Sequence, residues 1–140
     1  MPEMNMAAVR GLMKEAKTGF FATTDGQRAE VRCMGAWAWV GKELWLATSA
    51  VTQKVADVQA CPRVEMCFMA PDGRNVRIGG YCRVSRDADD KGRLYRMVPM
   101  LDKYMAGPEN PNYVVLRLTP DRIRLMATPD LKVVAVDPNS

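Results

Sequence analysis

No histidine occurs anywhere in the 140-residue chain, and that gap closes much of the usual catalytic repertoire. A Ser-His-Asp or Cys-His nucleophile, an HExxH zinc site and a haem held by a proximal histidine each need an imidazole as base or ligand. The four cysteines, Cys33, Cys61, Cys67 and Cys82, show no CxxC spacing. Three stand in apolar runs, where a thiol behaves as a small buried hydrophobe, so reduced, structural cysteines and no metal site are expected. Apolar runs all fall short of the roughly 20 residues of a membrane span. The N-terminal stretch MPEMNMAAVRGLMKEAK also lacks the basic start, long apolar centre and small-residue cleavage site of a secretory signal. A cytoplasmic protein is the expectation. Lysine and arginine give a net charge of +4 without forming a stripe, which argues against a nucleic-acid face and suits a small phosphate-bearing ligand.

What is present reads as one domain of alternating strands with helices between them. Met6, Val9, Met13 and Ala16 recur at helical steps, predicting a helix over about residues 3–17. GFFAT (19–23) is a strand, and the Asp-Gly of TDGQ supplies a hairpin turn. A second strand is predicted from about Arg28 to Val40, apolar or small on both faces after Arg32, as in a closed barrel or at an interface. Gly41-Lys42 turns the chain into the strand ELWLAT, and Val51, Val55 and Val58 mark a helix that Cys61-Pro62 ends. RVEMCFM (63–69) alternates as a strand, and PDGR turns into a long strand over 75–86, where paired Gly79-Gly80 predicts a bulge. A helix over 87–105, interrupted near Pro99, follows. YVVLRLT and RIRLMA are predicted as a hairpin about Pro120-Asp121, with LKVVAV as a short last segment. Six or seven strands with flanking helices make a small α+β, mainly β, barrel.

One stretch carries chemistry. TSAVTQK (48–54) stands where a buried strand meets a helix start, whose free N–H groups and positive dipole end favour an anion. Thr48, Ser49 and Thr52 add hydroxyls. Lys54 in the first turn opposes the dipole, a conflict that a bound phosphate resolves. Spacing alone leaves two readings open: a phosphate grip, or a helix capped by Thr48 or Ser49 with Lys54 solvated. Arg32 favours the grip, because pairing of the second and third strands about Gly41-Lys42 places Thr48 near Cys33 and Met34. Trp37, Trp39 and Trp45 are read first as packing, Arg74, Arg77 and Arg83 as a wet strand face, and the eleven methionines as adaptable packing.

VRCMGAWAWVGKELWLATSAVTQKVADVQACPRVEMCF, followed by GRNVRIGGYCRV, resembles the core of the pyridoxamine 5'-phosphate oxidase-like family of split-barrel flavin proteins, over about residues 18–127. The match lies in an arginine strand, a hydrophobic hairpin, a Thr-x-x-x-[Ser/Thr]-x-Lys turn, a helix ending in C-P-R and a long V-R-[VI]-x-G strand. The resemblance implies a Greek-key, FMN-binding split barrel and a homodimer with flavin between subunits. It implies that Arg32, Thr52, Gln53 and Lys54 hold the phosphate and that Thr48 lies where the strand passes the flavin. Backbone about Cys33, Met34, Gly35, Leu46 and Ala47 would line the ring, and Asn75 would reach it across the dimer. In RLTPDRIRLM, Leu125-Met126 replaces the aromatic pair of the vitamin B6 oxidase, and the Arg-Leu-His-Asp-Arg run is missing. The implied function is therefore an FMN-dependent oxidoreductase acting on another small substrate or NAD(P)H, with no catalytic side chain assigned. The rivals are an FMN-binding protein without its own substrate, a deazaflavin- or haem-binding relative, and a module without cofactor.

Overall fold

Asn5 starts the first element: its side chain accepts a hydrogen bond from the Ala8 N–H at 3.2 Å, satisfying one of the donors that a helix start leaves free. In the computed structural model, which describes residues 4–128 and 130–140, helix α1 (Met6–Ala16) then buries Met6, Val9, Leu12 and Met13 and stops where Lys17 turns left-handed at φ 67°. Strands β1 (Gly19–Thr24), β2 (Ala29–Met34), β3 (Trp37–Val40) and β4 (Glu43–Ser49) lead to helix α2 (Gln53–Ala60). Strands β5 (Arg63–Met69) and β6 (Asn75–Ser85) precede helices α3 (Ala88–Met97) and α4 (Leu101–Met105), and β7 (Tyr113–Met126) and β8 (Val134–Val136) follow.

Eight strands join one sheet in the order β2-β1-β5-β6-β7-β4-β3, with β8 against β7, and every pairing is antiparallel. Laid flat, six spacings of about 4.8 Å would separate β2 from β3 by about 29 Å. Yet only Gly35 and Ala36 join them, and three Cα steps span at most about 11 Å. The sheet therefore curls, and with four helices around it this is the split β-barrel.

Two sequence expectations are corrected here. The predicted strand over 28–40 is two strands, because β2 pairs with β1 and β3 with β4, so the chain must change partner at Gly35-Ala36. The predicted hairpin at Pro120-Asp121 is instead one 14-residue strand whose first half pairs with β4 and second half with β8. Pro120 has no N–H to give the ladder, and the register shifts opposite it between Gly79 and Gly80, the bulge that tolerates a proline. These changes and β8 give eight strands rather than six or seven.

One core fills the barrel, where Phe21, Met66, Phe68, Ile78, Leu116 and Leu118 pack with α1 and α2. A second lies between α3, α4 and the outward side chains of β4 and β7, around Trp45, Leu94, Leu101 and Tyr113. The tryptophans pack, as read: Trp37 Nε1 donates to the Lys17 carbonyl at 2.6 Å, and Trp39 Nε1 to Met13 Sδ at 3.2 Å. The cysteines do not all follow their apolar context. Cys82 is buried, which pushes its thiol up to about 12, but Cys33 is exposed and Cys61 and Cys67 are half-buried. Strand alternation turns Cys33 and Cys67 outward, both opposite Phe20.

A Cβ added at Gly80 would stand 2.1 Å from the Thr119 carbonyl oxygen, whereas one at Gly79 would meet nothing closer than Glu65 Oε1 at 3.3 Å. Gly80→Ala is therefore expected to cost about 3 kcal/mol and Gly79→Ala about 1 kcal/mol in urea unfolding, since a rigid backbone contact yields less than a side chain. Equal costs at the two positions would contradict this account of the bulge.

Candidate functional site

Thr52 is the N-cap of α2, but its hydroxyl donates back to the Ser49 carbonyl at 2.8 Å and not to the helix. The Val55 N–H goes to the Thr52 carbonyl at 3.2 Å, and the N–H groups of Gln53 and Lys54 are left for another acceptor. Lys54 lies in that turn, half-buried, and its ammonium donates to Oγ1 of buried Thr48 at 2.9 Å. Desolvation, and secondly the Arg32 guanidinium, hold its pKa below the ordinary 10.5. Two cations therefore share this corner of the barrel.

Arg32 arrives by a route different from the one expected. Thr48 pairs with Val114 on β7, not with β2. Arg32 is instead held by β1: Nη1 donates to Thr23 Oγ1 at 2.7 Å and to the Phe21 carbonyl at 3.3 Å. Thr23 in turn donates to Asp57 Oδ2 at 2.7 Å, and Gln53 Nε2 donates to Asp57 Oδ1 at 2.8 Å. The Asp57 carboxylate, 2% exposed, also lies 3.9 Å from Arg32 Nη2. One buried carboxylate thus fixes the strand that carries Arg32 and the helix turn that carries Gln53 and Lys54.

Asp57 and Thr23 are the residues that sequence reasoning missed. Their signal was there: Asp57 stands between Val55 and Val58, on the face those valines bury, and Thr23 alternates with Phe21. A carboxylate on an apolar helix face has to find donors.

The other expected residues fall into three groups. Cys33, Met34 and Gly35 follow Arg32 to the end of β2, with Met34 buried and Cys33 and Gly35 exposed. A Cβ added at Gly35 would make ordinary contacts with Met100 Cε at 3.7 Å and Thr18 Oγ1 at 4.0 Å. Leu46 and Ala47 are buried in mid-sheet, and the Ala47 N–H is already given to the Ala36 carbonyl at 3.0 Å, so these residues chiefly carry β4 toward Thr48. Asn75 lies apart, at the end of β6 that pairs with Met69 and Met126, its amide donating to the Gly73 carbonyl at 3.0 Å. No cluster of metal-ligating side chains occurs among the described residues, and no described helix is long and apolar enough to cross a membrane.

Removing the shared carboxylate leaves Thr23, Gln53 and Arg32 without their partner. Asp57→Ala is expected to lose about 3 kcal/mol of stability in urea unfolding, well above a surface substitution. A change within about 0.5 kcal/mol would show that Asp57 does not organise this corner.

Comparison with known proteins places this geometry. Among solved structures the chain is similar to general stress protein 26 of Bacillus anthracis, at 20% identity over 92% of this chain and 96% of that one, with a TM-score of 0.76. It is also similar to an F420 reductase, at 22% identity, 88% and 98% coverage and a TM-score of 0.65. A haem-binding protein from Mycobacterium smegmatis is similar at 13% identity, 99% and 60% coverage and a TM-score of 0.80. At these identities the likeness is one of fold. No curated protein matches the chain in sequence. The family model described as pyridoxamine 5'-phosphate oxidase matches residues 6–127, and the chain accordingly belongs to the pyridoxamine 5'-phosphate oxidase family.

Proposed function

We propose that the chain binds FMN, with the phosphate between Arg32, Lys54 and the first turn of α2, and works as a flavin-dependent oxidoreductase on a small substrate other than pyridoxamine phosphate. The observation that carries this reading is the pair of neighbouring cations. Lys54 is half-buried and held below its ordinary pKa by desolvation and by Arg32, and a phosphate would relieve both costs. The backbone N–H groups of Gln53 and Lys54 and the Gln53 amide stand at the same place, the arrangement by which helix starts hold phosphate. Asp57 offsets only one of the two positive charges.

The exposed Cys33 and Gly35 give a ring system a surface to lie along at the end of β2. Bound FMN would supply hydride and electron transfer. The chain's own part is to hold the phosphate, fix the ring against β2 and keep one face open, which agrees with the lack of a side chain placed as acid or base. A homodimer fits the exposed Phe20 and Met69, 42% and 54% accessible on the outward sheet face, and Val31, 69% accessible on the neighbouring edge strand. A second copy would cover them, with Asn75 at the same end of the sheet.

A deazaflavin would use the same phosphate grip, and the F420 reductase fold likeness keeps it as the second reading. The lack of histidine weighs against haem. Titrating the purified protein with FMN is expected to give a stoichiometric complex with a flavin absorption band. Arg32→Gln and Lys54→Gln should each weaken it at least about tenfold, the effect of losing one charged hydrogen-bond donor to phosphate. Failure to take up FMN, or unchanged affinity in both variants, would defeat the proposal. Steady-state oxidation of NAD(P)H by the loaded protein separates an enzyme from a carrier of flavin.

A further inference from the structure

A second concentration of positive charge lies on the outward face of the sheet, unused by the reading above. Ala22, Glu65, Gly79 and Arg122 form one cross-strand row over β1, β5, β6 and β7. They face away from Phe21, Met66, Ile78 and Ile123, which are at most 2% exposed. A cavity of about 300 Å³ opens there, lined by Thr24, Arg63, Glu65, Gly79, Arg122 and Arg124 among others. Gly79 helps to make the room, since an added Cβ would press on Glu65 Oε1 and, at 3.5 Å, on the Arg122 carbonyl.

The charges around this cavity do not balance. Arg77 stands directly opposite Arg124 in the β6–β7 ladder, a like-charge pairing that antiparallel sheets disfavour. The lining itself holds three arginines, Arg63, Arg122 and Arg124, against one carboxylate, Glu65, bonded by Arg124 at 2.7 Å; just outside it, Arg77 adds one positive charge and Asp121, bonded by Arg63 at 2.5 Å, one negative. Arg122 is exposed and makes no ion pair among the described residues. Arg124 Nε is the one buried side-chain nitrogen or oxygen among the described residues without a hydrogen-bond partner, so Glu65 satisfies this guanidinium only in part.

We propose that this cavity binds a phosphate monoester. The surplus of two positive charges matches the roughly −1.5 to −2 that such a group carries near neutral pH. Guanidinium forks suit its oxygens, and the cavity is large enough to hold a small organic group beside the phosphate. Thr23 borders the cavity while its hydroxyl bonds Arg32 and Asp57 on the other side of the strand. Strand β1 thus separates two anion sites that lie back to back; of the apolar surface assigned to a second copy, Phe20 and Met69 lie toward the other end of the same face, while Val31, opposite Ala22, flanks the cavity.

Calorimetric titration of the full chain with inorganic phosphate tests this, using the wild type, Lys54→Gln, Arg122→Gln, and the two substitutions combined. Arg122 is exposed and unpaired, so its replacement leaves the fold intact. Phosphate binding is expected to survive Lys54→Gln and to weaken about tenfold when Arg122→Gln is added, while Arg122→Gln alone leaves FMN affinity unchanged. Absence of phosphate binding in Lys54→Gln, or binding indifferent to Arg122→Gln, overturns the proposal. So does a result in which phosphate gives no heat and Arg122→Gln instead shifts the monomer–dimer equilibrium, because a carboxylate of a second copy would then be the occupant.

Discussion

Two residues, Gly35 and Ala36, join the two outermost strands of the sheet, and the rest of the molecule is arranged around what that short link compels. A chain of three Cα steps cannot cross the width of seven flat strands, so the sheet closes toward itself. Closure brings β2, which carries Arg32, to the side of the barrel where β4 ends and α2 begins. Sequence neighbours could not have achieved this, since Arg32 and Lys54 are separated by two strands and two turns. The cationic corner is a product of topology, made rigid by the buried Asp57 that binds Thr23 and Gln53 from opposite sides.

Holding two cations together has a thermodynamic direction. Lys54 is depressed in the folded state, first by desolvation and then by Arg32, so its charged form costs stability at neutral pH. That cost fades as pH rises through the lowered value toward the unfolded value near 10.5. A protein that keeps such a cost at the mouth of a helix gains affinity for whatever anion removes it. The same logic, without the helix, holds on the outward face, where Arg77 and Arg124 oppose each other across a ladder and Arg122 is left unpaired. In both places like charges are held together at a local cost in stability.

Much of this was legible in the residues. The helix of Met6, Val9 and Met13, the turn at Gly41-Lys42, the bulge at Gly79-Gly80 and the helix that begins near residue 87 are local signals, and the structure has them. What sequence hid was partner choice. The run from Arg28 to Val40 reads as one strand because nothing local says that its halves bond to opposite ends of a sheet. Pro120-Asp121 reads as a turn because a proline's missing N–H has the same local signature at a turn and at a bulge. For the site, Lys54 was found through its conflict with the helix dipole and Arg32 through a counting argument that failed at Thr48; Arg32 reaches the corner through β1 and Asp57 instead. Asp57 escaped notice because a single acidic residue in a helix is ordinarily solvated, and only its burial, at 2% exposure, reveals its part.

The account rests on an anion relieving the Lys54–Arg32 pair, and the protonation of Lys54 itself reports this most directly. Its apparent pKa can be followed by NMR of the lysine side chain, assigned by comparison with Lys54→Gln, with and without saturating FMN. Free protein should show a value below 10.5, because desolvation and the neighbouring guanidinium disfavour the ammonium, and FMN should raise it. A value that stays put or falls on FMN binding would place the phosphate elsewhere and contradict the account.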